Sequence, residues 1–131
     1  MKACRRSIAV ASPYVGDYLC KAVAQLETDI YVTLLTRTLI TDFASGASDL
    51  EAVRVLAERS RGVLSLSSLH AKVYVVNDRS ALVTSANATF SGMHRNRECG
   101  VQINTRREIS KLRHLIESGF GAIPKPQLWD R

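Results

Sequence analysis

The chain of 131 residues, 46% of them hydrophobic and 23% charged, has the length and composition of a globular protein with a buried core. No continuous apolar run reaches the roughly 18 residues that a membrane span requires. The short run from Ser7 to Ser12 ends at Pro13 and indicates a first strand rather than a signal peptide. We therefore expect one domain over residues 1–131, with an irregular tail over residues 119–131.

The cysteines and the net charge further limit which kinds of protein and binding partner are possible. Cys4, Cys20 and Cys99 are too widely separated for a zinc site or a disulfide framework. We interpret them as buried or half-buried thiols in a reducing compartment and predict a cytoplasmic location. The net charge is +6, and residues 70–131 carry ten Lys or Arg against five Asp or Glu. This excess would attract a polyanion such as nucleic acid or an anionic membrane surface, or would only keep the protein soluble.

The first half of the chain alternates predicted strands and helices. Ile8–Ala11 and Ile30–Leu35 are apolar and rich in β-branched residues, as buried strands are. Between them Asp17 is placed to cap a helix, and Ser48 and Glu51 form a capping box for a second helix. This alternation favours an α/β layer with parallel strand pairing.

In the second half, predicted strands follow one another without intervening helices. A last helix opens with a capping box from Thr105 to Glu108 and ends at Gly119. The pattern predicts an α/β fold whose mixed β-sheet contains a hairpin or meander and is flanked by helices on both faces. The four predicted strands are Val63–Leu66, Ala71–Val76, Ala81–Thr84 and Cys99–Ile103.

Five polar residues mark the ends of these strands. His70 and Lys72 are two residues apart and therefore project from one face of a strand. Ser85 and Asn87 follow the next strand and offer neutral groups that can hold a phosphoryl oxygen, and Glu98 places a carboxylate where the last strand begins. The first pair by itself is typical of a surface, and the second of a turn or helix cap. The combined spacing is far more specific.

The stretch His70-Ala-Lys-Val-Tyr-Val-Val-Asn-Asp, with Thr84-Ser-Ala-Asn and Glu98, resembles the HKD motif of the phospholipase D superfamily. The resemblance implies a phospholipase D-like half-unit that displaces groups at phosphorus in two steps. His70 would be the nucleophile that forms a phosphohistidine, or the general acid. Lys72 and Asn87, assisted by Ser85, would hold the nonbridging oxygens, and Glu98 would orient the His70 ring.

Two positions depart from the family motif. Asn77 stands where the family has the motif Asp, and Thr84 stands where it commonly has Gly. We expect these changes to affect local turn and loop geometry and not the reacting groups. Because Lys72 supplies positive charge that other nucleases take from Mg²⁺, we predict a metal-independent enzyme with no cofactor and no metal ligands.

The implied mechanism needs two histidines, and this chain has one motif. His94 and His114 are interpreted as solvent or interface residues. Single-motif nucleases of the superfamily are similar in this respect, so we predict a homodimer in which His70 of the two protomers share one site.

DNA or RNA is the predicted substrate, because short single-motif members resemble nucleases. Arg95 and Arg97 are the predicted substrate-binding residues. Arg106, Lys111 and Arg113 could follow the nucleic-acid backbone or could be the exposed face of an amphipathic helix. A phospholipase or phosphatidyltransferase is the alternative enzyme. A nucleic-acid-binding module of a larger helicase or restriction enzyme is the alternative that does no chemistry.

Overall fold

The computed structural model describes residues 7–25 and 30–120, apart from the side chains of residues 61 and 62. Cys4 and the predicted tail beyond Phe120 lie outside the described residues. The strands are β1 (Ser7–Ala11), β2 (Tyr31–Thr36), β3 (Ser60–Ser65), β4 (Val73–Val76), β5 (Ser80–Thr84) and β6 (Gly100–Ile103). The helices are α1 (Asp17–Ala24), α2 (Ile40–Ala44), α3 (Leu50–Arg59) and α4 (Arg106–Glu117), and a π-helical turn spans Ser91–Arg95.

The six described strands form one mixed sheet in the order β3-β2-β1-β4-β5-β6. Strands β1, β2 and β3 pair in parallel, and we call them the parallel half. Strand β4 runs antiparallel to β1, and β5 and β6 continue antiparallel; these three strands are the antiparallel half. Ala11 at the end of β1 is paired with both Leu35 of β2 and Val73 of β4, so the two halves meet at β1.

Helices cover both faces of the sheet, which confirms the predicted α/β class. On one face α1 and α3 enclose a core that includes Val10, Leu34 and Leu56. On the other face α4 packs across β1 and β4, and its Ile109 and Ile116 are 1% exposed. Because β1 and β2 are covered on both sides, they appear in the sequence as nearly continuous apolar runs.

The helix starts differ from the sequence predictions at three places. Gly16, rather than Asp17, occupies the cap position of α1. The cap of α3 is Asp49, whose carboxylate accepts from the main-chain N–H groups of the next turn, and Ser48 is buried and accepts from the main-chain N–H of Val15 at 3.0 Å. Thr105 occupies the cap position of α4, but its side chain makes no hydrogen bond there. The hydrogen bonds that the two predicted capping boxes imply are therefore not formed.

The strand predictions also needed correction. Strand β3 begins at Ser60 and pairs in parallel with β2, so it is not part of a hairpin with β4. Helix α2 was not predicted. Strands β4 and β6 begin at Val73 and Gly100, which leaves Lys72 and Glu98 in the segments that enter them. The chain direction along the sheet is set by long-range pairing, which local sequence patterns do not encode.

Two remaining predictions concern thiols and membranes. Cys20 is half-buried, as predicted, whereas Cys99 is exposed, so its predicted burial is wrong; both are free thiols. Within residues 7–25 and 30–120, no helix combines the length and apolar character needed to cross a bilayer.

Candidate active site

The ends of three antiparallel strands bring the predicted site residues to one edge of the sheet. His70 and Lys72 precede β4, Ser85 and Asn87 follow β5, and Glu98 precedes β6. Since these strands alternate in direction, the start of β4, the end of β5 and the start of β6 coincide. The same edge holds the carboxyl end of β1, where α/β sheets commonly place their ligands.

Lys72 is the most buried charged residue of this group, at 9% exposed. Its main-chain oxygen accepts from the N–H of Thr84 at 3.1 Å, which extends the pairing of β4 with β5 by one residue. Its Nζ donates to the main-chain oxygen of His70 at 2.8 Å. Burial lowers the pKa of the Lys72 ammonium, and the carboxylate of Glu98 opposes this shift. The bond to His70 fixes the ammonium beside the residue whose ring is the candidate nucleophile.

The side chain of His70 is exposed, and its ring has no hydrogen-bond partner among the described residues. The contact predicted between Glu98 and this ring is not present in the structure. Glu98 instead accepts a hydrogen bond from Ser85, whose Oγ lies 2.6 Å from Oε1. The orienting role of Glu98 toward His70 therefore stays a prediction.

Ser85 joins β5 to the segment that enters β6. Its main-chain N–H donates to the oxygen of Cys99 at 3.0 Å, and its Oγ accepts from the N–H of Cys99 at 3.1 Å. The side chain of Thr84 donates to the same Cys99 oxygen at 3.1 Å. These bonds fix the positions of Ser85 and Glu98 relative to each other, and Thr84 takes part in the link.

Asn87 lies in a loop that is held on both sides. The phenol of Tyr74 donates to the oxygen of Ala86 at 2.7 Å, and the N–H of Ala88 donates to Oγ of Ser12 at 3.0 Å. Burial raises the pKa of Tyr74 above its usual range, so the phenol stays protonated and able to donate. The Oδ1 atom of Asn87 is buried and has no partner among the described residues. A buried amide oxygen without a partner is costly unless a ligand or neighbouring donor meets it.

Two glycines allow this packing. A Cβ at Gly92 would lie 2.4 Å from the main-chain oxygen of Asn87 and 2.9 Å from its nitrogen, so the π-helical turn can rest on Asn87 only with glycine there. A Cβ at Gly100 would lie 2.8 Å from Cβ of Thr84, its register partner. The position where this chain departs from the usual Gly is thus matched by a glycine across the strand pair.

Sequence reasoning missed Ser12, Tyr74 and Gly92 as supports of the site. Tyr74 is two residues beyond Lys72 and shares its side of the chain, which is the one local signal that pointed to it. Ser12 and Gly92 meet the site through contacts from distant parts of the chain. Such contacts follow from the sheet order, and periodicity does not reveal them.

Asn77, which departs from the family motif, and the arginines of the basic C-terminal part of the chain differ in their surroundings. Asn77 accepts from the N–H of Ser7 at 2.9 Å, so it closes the β4–β5 turn onto β1 and acts structurally, as expected. Arg113 pairs with Asp78 and Glu117 and donates to Ser7, and its side chain is 14% exposed. Its predicted alternative role on nucleic acid is not supported. Arg95 and Arg97 are exposed.

The arrangement offers an exposed imidazole, a buried ammonium and neutral hydrogen-bond donors at one edge of the sheet. These groups can supply a nucleophile and stabilise negative charge on a phosphoryl group. In the part of the chain that the structure describes, no three His, Cys, Asp or Glu side chains are grouped as a metal site would need.

Comparisons with known proteins give this arrangement a family. The model described as cardiolipin synthase, PLD-like domain, matches residues 1–119. Among solved structures, the chain is similar to the phospholipase D family member Nuc from Salmonella typhimurium, with a TM-score of 0.68 and 17% identity over 88% of this chain and 78% of that chain. It is also similar to NucT from Helicobacter pylori, with a TM-score of 0.60 and 15% identity over 85% and 76% of the two chains. No curated protein sequence gives a significant match.

The family match covers most of the chain, and it defines the class: the protein belongs to the phospholipase D superfamily, which confirms the resemblance seen in the sequence. Within that superfamily it carries the domain described as cardiolipin synthase, PLD-like, and it is a phosphodiesterase of the phospholipase D type. The six-stranded sheet has the fold of Nuc.

Proposed function

We propose that this protein is a metal-independent nuclease that hydrolyses DNA or RNA through a phosphohistidine at His70, in a site shared by two protomers. The observation that carries the proposal is the buried Lys72 ammonium bonded to the main chain of His70, with Ser85, Asn87 and Glu98 at the same edge of the sheet. A fixed ammonium supplies the charge stabilisation that a metal ion gives in other nucleases.

The reaction proceeds by two displacements. A ring nitrogen of His70 attacks phosphorus, a P–N bond forms, and the bond to the leaving oxygen breaks as that oxygen takes a proton from His70 of the partner subunit. Water then attacks the phosphohistidine and gives up its proton to the partner's His70, and the P–N bond breaks. Lys72 and the amide of Asn87 hold the nonbridging oxygens in both steps.

A homodimer accounts for the exposed, unbonded ring of His70. His94 packs on Tyr18 and Phe90, and His114 is exposed on α4, so neither is placed by any described contact beside the groups around Lys72. A two-fold axis at this edge of the sheet would supply the missing general acid from the second protomer.

Nucleic acid is favoured over lipid because short single-motif members of the superfamily resemble nucleases, and the two similar solved structures carry the names Nuc and NucT. The exposed Arg95 and Arg97 add positive charge for a polyanionic backbone. The name of the matching family model supports the lipid alternative, a phosphatidyltransferase or phospholipase.

The first experiment compares substrates in EDTA. Wild-type protein is incubated with single-stranded DNA, supercoiled DNA, RNA and a labelled phospholipid, beside His70→Ala and the matched control His114→Ala. We expect nucleic-acid cleavage by the wild type and by the control but not by His70→Ala. Cleavage of the phospholipid alone would favour the lipid enzyme, and binding of DNA without cleavage would favour a binding module.

The second experiment tests the shared site. Wild-type and His70→Ala chains with different affinity tags are co-expressed, and heterodimers are isolated by two successive purifications. Heterodimers are expected to retain a few per cent or less of wild-type activity, because each shared site then lacks one imidazole. Half or full activity in isolated heterodimers would contradict sharing.

A further inference from the structure

Three rings, those of Tyr18, Phe90 and His94, lie together where α1 meets the π-helical turn that follows Asn87 in the chain. The ring centroids of Phe90 and His94 are 4.8 Å apart with planes inclined by 33°, and Tyr18 from α1 meets His94 edge-on at 5.0 Å. Phe90 is 50% exposed although it is a large apolar side chain, and His94 is exposed as well. The guanidinium of Arg95 lies over the Phe90 ring, 5.2 Å from its centroid. We call Tyr18, Phe90, His94 and Arg95 the aromatic patch.

Two members of the aromatic patch, Tyr18 and Phe90, line an open cleft of about 820 Å³ that also reaches Asn87. This volume lies within the range of small-molecule sites and is large enough for a nucleoside. The cleft is also lined by two carboxylates and one ammonium, those of Asp17, Asp49 and Lys21, so its net negative charge disfavours a phosphate in the interior. Asp17 is paired with Lys21, and Asp49 caps α3. An uncharged ring fits the cleft better than a phosphate, whereas the adjoining Arg95 suits the charged backbone.

We infer that the aromatic patch is a stacking subsite for one unpaired base of the substrate, next to the phosphate held at Asn87. The inference rests on the proposed nuclease function and adds a substrate class, single-stranded nucleic acid. Aromatic side chains and arginine planes bind unpaired bases by stacking, largely without regard to sequence. A base in a duplex is stacked on its neighbours and paired, so it must first be extruded at a cost in free energy.

The test measures binding separately from cleavage. In a His70→Ala background, fluorescence anisotropy gives the affinity for a labelled single-stranded oligonucleotide and for the same strand with abasic sugars in place of nucleosides. We expect Phe90→Ala to weaken binding of the normal strand about tenfold and to leave the abasic strand unchanged. Phe90→Leu, which keeps apolar bulk without an aromatic face, should behave like Phe90→Ala. Ile40→Ala removes another exposed apolar side chain and serves as the matched control.

Each outcome bears on one claim. Equal losses on both strands, no loss with Phe90→Ala, or full affinity with Phe90→Leu would overturn the stacking subsite. If size-exclusion chromatography shows that Phe90→Ala separates a dimer, the aromatic patch is a contact between two copies and the inference is also overturned. If binding depends on the bases but the wild type cleaves no nucleic acid, the stacking subsite is supported and the proposed nuclease function is overturned. If Phe90→Ala with His70 intact cleaves nucleic acid as fast as the wild type, the nuclease function stands and the stacking subsite is overturned.

Discussion

The parallel and antiparallel halves of the sheet differ in how they are covered and in what their strand ends carry. In the parallel half, Leu34 and Leu35 of β2 are no more than 1% exposed because helices lie on both faces. In the antiparallel half, β6 is exposed along most of its length, and Val101 is 64% exposed. The segments that flank β4, β5 and β6 carry the five candidate site residues. Stability and chemistry are therefore expected to respond to substitutions in different halves of one sheet.

The largest contrast is expected between His70→Ala and Leu34→Ala. Loss of the candidate nucleophile should lower kcat/KM at least about 10³-fold, with the melting temperature unchanged because the ring makes no described contact. Leu34→Ala should lower the free energy of unfolding by about 2–5 kcal/mol, while the folded fraction keeps its kcat. Thermal melts and urea titration measure the two stability effects, and steady-state kinetics measure the activity. A large stability loss in His70→Ala would break the separation of roles.

Lys72→Met is expected to lower activity without lowering stability, although it changes a single residue. Removing the ammonium should lower kcat about 10²-fold, as loss of one charge-stabilising group does. Burial lowers the pKa of Lys72 in the folded protein, so folding disfavours its charged form below that pKa, and this penalty fades as pH rises toward the ordinary lysine value. At neutral pH the variant should therefore be as stable as the wild type or more stable. Lower stability with retained activity would contradict both assignments.

Gly100→Ala tests whether the link between β5 and β6 serves the site. The new Cβ would meet Thr84, so we expect a loss of about 1–3 kcal/mol in unfolding free energy and roughly tenfold in kcat, since Ser85 and Glu98 flank this pair. Thr84→Gly should relieve most of the loss in the double variant. A double-mutant cycle gives the coupling. Additive effects would show that the two positions are independent.

The smallest effects are expected from two arginines in the basic segment over residues 70–131. Arg97→Ala should weaken nucleic-acid binding a few-fold and reduce the slope of log affinity against log salt by about 1, without changing stability. Arg113→Ala should leave that slope unchanged and lower stability by about 1–2 kcal/mol, because it breaks the contacts to Asp78, Glu117 and Ser7. A salt titration of binding with both variants decides the assignment.

The sequence was sufficient for the features that depend on local pattern. Apolar runs predicted β1 and β2, and the spacing of polar residues predicted the candidate site residues that lie at one edge of the sheet. Strand direction was different: β3 follows α3 directly, and only its long-range pairing shows that it belongs to the parallel half. The cap of α3 was assigned to Ser48 instead of Asp49, because two polar residues in succession both suit a cap.

The residues that hold the loop of Asn87, Tyr74 and Ser12, could not be predicted because each residue type more often has another role. A tyrosine in an apolar strand is usually a core residue, and a serine after a strand is usually part of a turn. The bond from Tyr74 joins β4 to the loop that follows its neighbour β5, and the bond to Ser12 joins that loop to the end of β1. Likewise, the sequence pattern of α4 favours an exposed Arg113, whereas in the folded chain this side chain contacts Ser7, Asp78 and Glu117.

The close approach of Gly92 to Asn87 limits how this protein can be engineered. The turn that follows Phe90 and carries His94 rests directly on the main chain of Asn87, so we expect a shift of this turn to displace both the aromatic patch and the candidate catalytic amide. A library that randomises residues 90–95 to alter base preference must keep glycine at position 92. Variants found without it are expected to lose turnover along with selectivity, however well the new rings fit a base.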